Sequence, residues 1–208
     1  MYVESDGRVF LVDRAGRLDL PEAHEVPFDV DIIAPLPGDV CFCVPRLDRH
    51  PQEWHAKDEL PTLPNASPHV RAAVHATMPR VIVEGLCVRE KKILLVKGNR
   101  GLTEGRWTLP GGFLRFGETP EQGVLREIRE ETGLDGTIEG LSSAHSKLGR
   151  QTRLHWVMLF YRVTVKGEPQ PNPDEIAEAR FFPPGEATKV IFDDAMAGEI
   201  RALMHTSA

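Results

Sequence analysis

Cysteine is scarce: three in 208 residues, an odd number that argues against a disulfide framework. No stretch approaches the roughly 18 consecutive apolar residues that a spanning helix requires. The N-terminus, MYVESDGRVF, lacks a charged segment leading into an apolar one. A cytoplasmic protein with no membrane partner is the simplest expectation. Positive charge is also in deficit, with 25 Lys and Arg against 31 Asp and Glu, a net −6. That removes the general basic field that would hold a long nucleic acid. A small anionic substrate stays compatible, because a bound metal inverts the potential around it. The apolar fraction of 41% and charged fraction of 27% are those of a globular domain.

Residues 1–78 read as a small, mostly β appendage. Arg8 to Leu20 predicts a hairpin turning at Asp13-Arg14-Ala15-Gly16, and Val30 to Pro35 and Asp39 to Val44 predict further strands. Prolines accumulate here, ten of seventeen before residue 80, so Leu60 to Ser67 (LPTLPNAS) reads as a linker. Ser67-Pro68 then opens a short helix that stops before Pro79. Cys41 and Cys43 with His50 and His55 make a zinc site conceivable, but the spacing is loose, and free cysteines more often serve as small buried hydrophobes. No helix-turn-helix pattern appears in this region.

From Pro79 the pattern changes. Arg80 to Val88 and Lys92 to Val96 predict a strand pair, the second nearly all apolar, as in a strand covered on both faces. Leu154 to Val165 predicts a central strand, Arg180 to Phe182 a short one, and Asp193 to His205 a closing amphipathic helix. Between them lies Gly111 to Leu134. A glycine turn there is followed by Thr119 as N-cap, Pro120 at the first helical position and Gly133 just past the end, predicting a helix over Pro120 to Thr132. Glu127, Glu130 and Glu131 share one face of it at i, i+3 and i+4, while Val124, Leu125 and Ile128 cover an adjacent face. Like charges so placed repel, by about 0.2–0.5 kcal/mol per pair in an isolated helix. A hard divalent cation would offset that, and a merely solvated acidic face is the alternative.

The spacing of the whole stretch decides between them. It runs Gly112, five residues, Glu118, seven residues, Arg126-Glu127-Ile128, one residue, Glu130-Glu131, one residue, Gly133-Leu134. This is the Nudix box, GX5EX7REUXEEXGU with U apolar, at every defined position, and residues 79–208 therefore resemble the Nudix hydrolases. The resemblance implies an α/β fold, an α/β/α sandwich on a mixed β-sheet, preceded here by the appendage. It implies hydrolysis of the diphosphate linkage of a nucleoside diphosphate derivative, with Mg²⁺ or Mn²⁺ as cofactor. Glu127, Glu130, Glu131, the Gly111 carbonyl and Glu175 (with Asp174 second) are the expected metal ligands. Glu127, Arg126 and Glu130 are the expected catalytic residues, Glu127 as ligand or base and Arg126 as a brace on the glutamates. Glu118, Arg100 and Arg106 are expected at the substrate, with Lys147, Arg150 and Arg153 as further cations that could meet phosphates.

Substrate choice lies outside the box. The SQPWPFP-like run of NADH-type enzymes is missing, as are the downstream proline of ADP-ribose enzymes and the tyrosine of diadenosine-polyphosphate enzymes. LPGGFLRFGETPEQG is nonetheless most similar to the ADP-ribose and sugar-nucleotide pyrophosphatases. A nucleotide sensor without turnover and an assembly module are the alternatives from other classes, and the appendage is compatible with a homodimer.

Overall fold

Left-handed backbone at both central residues of a two-residue turn matches the twist of paired strands. Asp6 and Gly7 (φ 47° and 75°) use it to join β1 (Tyr2–Ser5) to β2 (Arg8–Phe10), with Ser5 opposite Arg8. The computed structural model describes residues 1–49, 51–149 and 152–206, so His50 and Arg150 lie outside the described residues. It forms two units, one of Met1–Arg80 with Lys147–Trp156, the other of Val81–Ser146 with the chain from Val157 onward.

In the first unit the hairpin expected over Arg8 to Leu20 is split. The chain leaves β2 at Leu11, and only β3 (Val12–Arg14) and β4 (Arg17–Asp19) pair across the turn, where Asp13 Oδ1 accepts from Gly16 N at 2.6 Å. β5 (Val30–Leu36), β6 (Val40–Pro45) and β7 (His55–Ala56) complete a five-stranded sheet in the order β5-β6-β1-β2-β7, with β1 and β6 parallel. α1 (Pro68–Thr77) is capped by Ser67 and buries Val70, Ala73, Val74 and Ala76. The stretch read as a linker is part of the packed unit. Leu60, Ala66 and Ser67 are buried, and Leu18 hydrogen-bonds to Asn65 and Ser67 through the backbone. Its prolines set turns, and they do not keep a leucine out of a core. Cys41 and Cys43 on β6 and Cys87 are free thiols, the latter two buried.

The second unit opens with β8 (Arg80–Arg89) and β9 (Lys92–Gly98), joined through Glu90 and Lys91 (φ 51° and 61°). β10 (Trp107–Thr108), β11 (Gly111–Phe113), α2 (Pro120–Thr132), β12 (Asp135–Leu148), β13 (His155–Lys166), β14 (Ile176–Phe182), α3 (Pro184–Val190) and α4 (Asp194–Thr206) follow. The seven-stranded sheet runs β10-β9-β8-β13-β12, with β11 against β8 and β14 against β9. β13 is interior, as its apolar run requires.

The sheet is covered on both faces, and β9 shows it residue by residue. Leu94 packs with Val124 and Ile128 of α2, while Ile93 and Leu95 pack with Ala187 of α3 and Met196 and Ile200 of α4. Helix, sheet and helices thus make three layers. The one buried charge on α4, Glu199, accepts from Ser142 Oγ at 3.0 Å and lies 2.9 Å from His145 Nε2, both on β12. Among the described residues no helix is long and apolar enough to cross a membrane.

Candidate active site

The glycine pair is a strand, not a turn. Gly111 and Gly112 lie opposite Glu84 and Val83 in the β11–β8 ladder, and neither has positive φ. Glycine is required by close approach. A Cβ on Gly111 would stand 2.2 Å from the Val83 carbonyl oxygen, and one on Gly112 would stand 2.6 Å from Glu127 Oε1. A side chain at Gly112 would push Glu127 of α2 off the strand, and one at Gly111 would force β11 away from Val83 and Glu84 of β8.

α2 holds the bounds its caps predict. Thr119 Oγ1 accepts from Gln122 N at 3.3 Å, Gln122 Oε1 accepts from Thr119 N at 2.9 Å, and Gly133 closes the helix at φ 69°. With Val124 and Ile128 fixed in the core, the glutamate face turns toward β11. Arg126 organises it. Its Nε donates to Glu118 Oε1 at 2.7 Å, its Nη1 to Glu127 Oε1 at 2.7 Å and Glu130 Oε2 at 3.1 Å, and its Nη2 to Glu118 Oε2 and the Phe113 carbonyl, both at 3.0 Å. The planar fork of a guanidinium suits this many acceptors.

The carboxylates divide by environment. Arg126 and the Arg115 backbone N–H hold Glu118 well below the usual carboxylate range, at about 2. Burial pushes the Glu127 carboxyl up, with Arg126 opposing. Burial pushes Glu131 furthest, to about 8, against a hydrogen bond from Gly111 N (3.0 Å to Oε2), and neighbouring Glu127, Glu175 and Glu130 add to it. A carboxylate buried among carboxylates is where a cation is most favourable.

The other expected residues are distributed unevenly. Glu175 is ion-paired with Arg100, and its loop is tied to Asn99 by Asn99 N to Glu175 O (2.8 Å) and Asn99 Nδ2 to Pro173 O (2.8 Å). Asp174 lies in a turn capped by Asn172, whose Oδ1 accepts from Asp174 N at 3.2 Å. Arg106 lies over the Phe192 ring, 4.0 Å from its centroid. Arg153 donates to the Leu36 carbonyl at 3.4 Å. Sequence reasoning missed Arg115, whose Nη2 reaches both oxygens of Glu130 at 3.1 and 3.0 Å. Its signal was a single cation between Leu114 and Phe116 within the five spacer residues of the box.

Among the described residues, no three His, Cys, Asp or Glu side chains stand gathered as a ready metal site. The donor set nevertheless fits a hard divalent ion. It is all oxygen, and Glu118, Glu127, Glu130, Glu131 and Glu175 against Arg100, Arg115 and Arg126 leave two formal negative charges when all ionise.

Comparison with known proteins agrees with this architecture. A family model described as NUDIX domain matches residues 77–203. An ADP-ribose pyrophosphatase of Methanocaldococcus jannaschii is 37% identical over 115 residues, 55% of this chain and 68% of that protein. An NAD-capped RNA hydrolase, NudC, of Pseudomonas aeruginosa is 35% identical over 106 residues, 50% of this chain but only 35% of that protein. Among solved structures, a NUDIX hydrolase from Nitrosomonas europaea has a TM-score of 0.56 at 25% identity, over 86% of each chain. That coverage exceeds the family match, so the likeness extends into the first 76 residues. A MutT NUDIX hydrolase from Burkholderia pseudomallei, at 29% identity and a TM-score of 0.52, covers 60% of this chain. The chain belongs to the Nudix family of hydrolases.

Proposed function

We propose that this Nudix hydrolase cleaves the diphosphate linkage of a nucleoside diphosphate derivative, with ADP-ribose as the first candidate, using Mg²⁺ or Mn²⁺. The observation that carries the reading is the half-buried, carboxylate-surrounded Glu131, its Oε2 accepting from Gly111 N of the glycine strand, beside an arginine-braced glutamate face. The 37% identity to an archaeal ADP-ribose pyrophosphatase supports the choice of substrate.

Glu131, Glu130, the Gly111 carbonyl and Glu175 would hold the cation, with Glu127 kept as the base. When bound, it supplies the positive charge that neutralises phosphoryl oxygens and lets water approach phosphorus. The chain's own residues do the rest. Glu127 Oε1 is held by Arg126, which aims the carboxylate, and Oε2 takes the proton of the attacking water. Water oxygen bonds to one phosphorus as the bridging P–O bond breaks, giving two monophosphates. Arg126 keeps Glu127 and Glu130 in register, and Glu118 in turn fixes Arg126. Residues 1–78 form an appendage that carries no chemistry, and residues 79–208 form the catalytic domain.

Turnover of a panel of nucleoside diphosphate derivatives, with Mg²⁺ and with excess chelator, tests the reading. ADP-ribose is expected to exceed any plain dNTP in kcat/KM, and chelator to abolish both. Undiminished turnover in chelator, or tight ADP-ribose binding with no turnover in Mg²⁺, would overturn it.

A further inference from the structure

Three arginines pair with the site's carboxylates, Arg126 and Arg115 within the box and Arg100 with Glu175, and they are not equivalent. Arg126 is largely buried, with its side chain 15% exposed, and its donors are shared among Glu118, Glu127, Glu130 and a backbone carbonyl. Arg115 and Arg100 are 60% and 67% exposed, and each pairs with a single carboxylate, Glu130 and Glu175 respectively. We propose that Arg100 and Arg115 are exchangeable counter-ions, neutralising Glu175 and Glu130 in the metal-free site and turning to the substrate's diphosphate once a divalent cation takes those carboxylates.

This deepens the hydrolase reading and rests on it. Three observations lead there. Exposed ion pairs contribute little to stability, so both arginines are held weakly enough to be displaced. Among the described residues the acid side chains are not gathered into a ready ligand cluster, and Glu130 and Glu175, members of the expected ligand set, are the ones held by the exposed arginines. The charges also match. A divalent cation that takes over the two carboxylates releases two guanidiniums, and a diphosphate diester brings two negative charges to meet them. Arg115 is held near by its own backbone, because its N–H donates to Glu118 Oε2 at 3.0 Å, so only the side chain needs to swing. Guanidinium geometry suits a phosphate as well as it suits a carboxylate.

Exchange makes cation and substrate binding mutually favourable, since each removes a competitor of the other. Arg106 lies over Phe192 and is ion-paired with neither Glu130 nor Glu175, so it has no counter-ion to exchange there.

The test titrates the metal-free full chain with Mn²⁺ alone, reading free Mn²⁺ by electron paramagnetic resonance, in wild type, R100Q, R115Q and the double variant. Removing a competing cation should tighten Mn²⁺ binding about two- to fivefold per site, the range for exposed ion pairs. R115K and R100K should stay near the wild-type value, since the charge remains. Repeating the titration with the α,β-methylene analogue of ADP-ribose should tighten Mn²⁺ binding further in wild type and much less in the double variant. Unchanged or weaker Mn²⁺ binding by R100Q and R115Q, with coupling to the analogue intact, would overturn the exchange and leave the hydrolase reading standing. A wild-type chain that binds no Mn²⁺ would overturn both. Wild-type melting temperatures for the variants establish that a null result is not a failure to fold.

Discussion

α1 and α2 begin alike and finish as different objects. Each starts with a hydroxyl cap, Ser67 Oγ accepting from Val70 N at 3.2 Å and Thr119 Oγ1 from Gln122 N at 3.3 Å, and each has proline in its first turn. α1 has no acidic residue in PHVRAAVHAT, whereas α2 reads PEQGVLREIREET and turns Glu127, Glu130 and Glu131 away from its buried stripe. Caps and the apolar stripe place a helix against a core, and only the remaining face decides whether it does chemistry. α1 is a packing element. α2 is a packing element with a charged back that its own Arg126 braces and that faces β11.

The largest way to break that contrast is Glu131→Gln or Glu130→Gln. Each keeps volume and removes a charged oxygen, and each should lower kcat for ADP-ribose about 100-fold or more, the scale of losing a transition-state charge stabiliser. Rates near wild type from single-turnover assays would show that the glutamate face is only solvated. Next, Ile128→Ala on α2 and Leu60→Ala beneath α1's unit should each lower unfolding free energy by about 2–5 kcal/mol in denaturant titrations. If Ile128→Ala were neutral, α2 would not be seated as described. The caps sharpen the likeness. Ser67→Ala and Thr119→Ala should each cost about 0.5–2 kcal/mol, and a large disparity between them would mean that the two starts differ in kind.

The brace on α2 makes a pH prediction. Arg126 first, and then the Arg115 N–H, lower the Glu118 carboxyl from 4.5 to about 2. The folded state therefore favours ionised Glu118. That contribution is fully present above pH 4.5 and lost as the pH falls toward 2. Glu118→Gln should destabilise most near pH 6 and progressively less toward pH 2 in urea midpoints, and a pH-independent difference would contradict the pairing. The smallest effect belongs to Glu121→Gln. Glu121 Oε1 accepts from Tyr161 OH at 3.0 Å, and a glutamine oxygen can still do so. The loss should be a few tenths of a kcal/mol from the weakened helix-terminus interaction, with activity kept.

How much of this was legible varies by element. α2 could be bounded to the residue, because cap, proline, stripe and closing glycine all act within one continuous segment. β13 and α4 were readable for the same reason, as long patterns that need no partner to be recognised. The Gly111-Gly112 strand was read as a turn because glycine signals both freedom and close approach, and only the position of Val83 and Glu127 tells them apart. β1 went unread although Asp6-Gly7 is a strong hairpin turn, since four residues at the chain start carry too little alternation to count. α3, seven residues beginning at the second of two prolines, is too short to show a period. Arg115 and the Arg100–Glu175 pair escaped because ion pairs between loops have no spacing rule.

The three thiols carry a practical consequence for anyone following this chain by fluorescence. Cys87 is fully buried and burial drives its ionisation far upward, and Cys43 is raised for the same reason, with Cys41 adding to it. Reagents such as maleimides attack the thiolate, so both are poor targets while the fold holds. Cys41, two residues from Cys43 on β6 and only partly covered, is the one that a dye can reach. The unmodified chain thus comes with a single attachment point in the unit that lacks the glutamate helix, and uptake of a second and third dye reports the opening of each unit in turn.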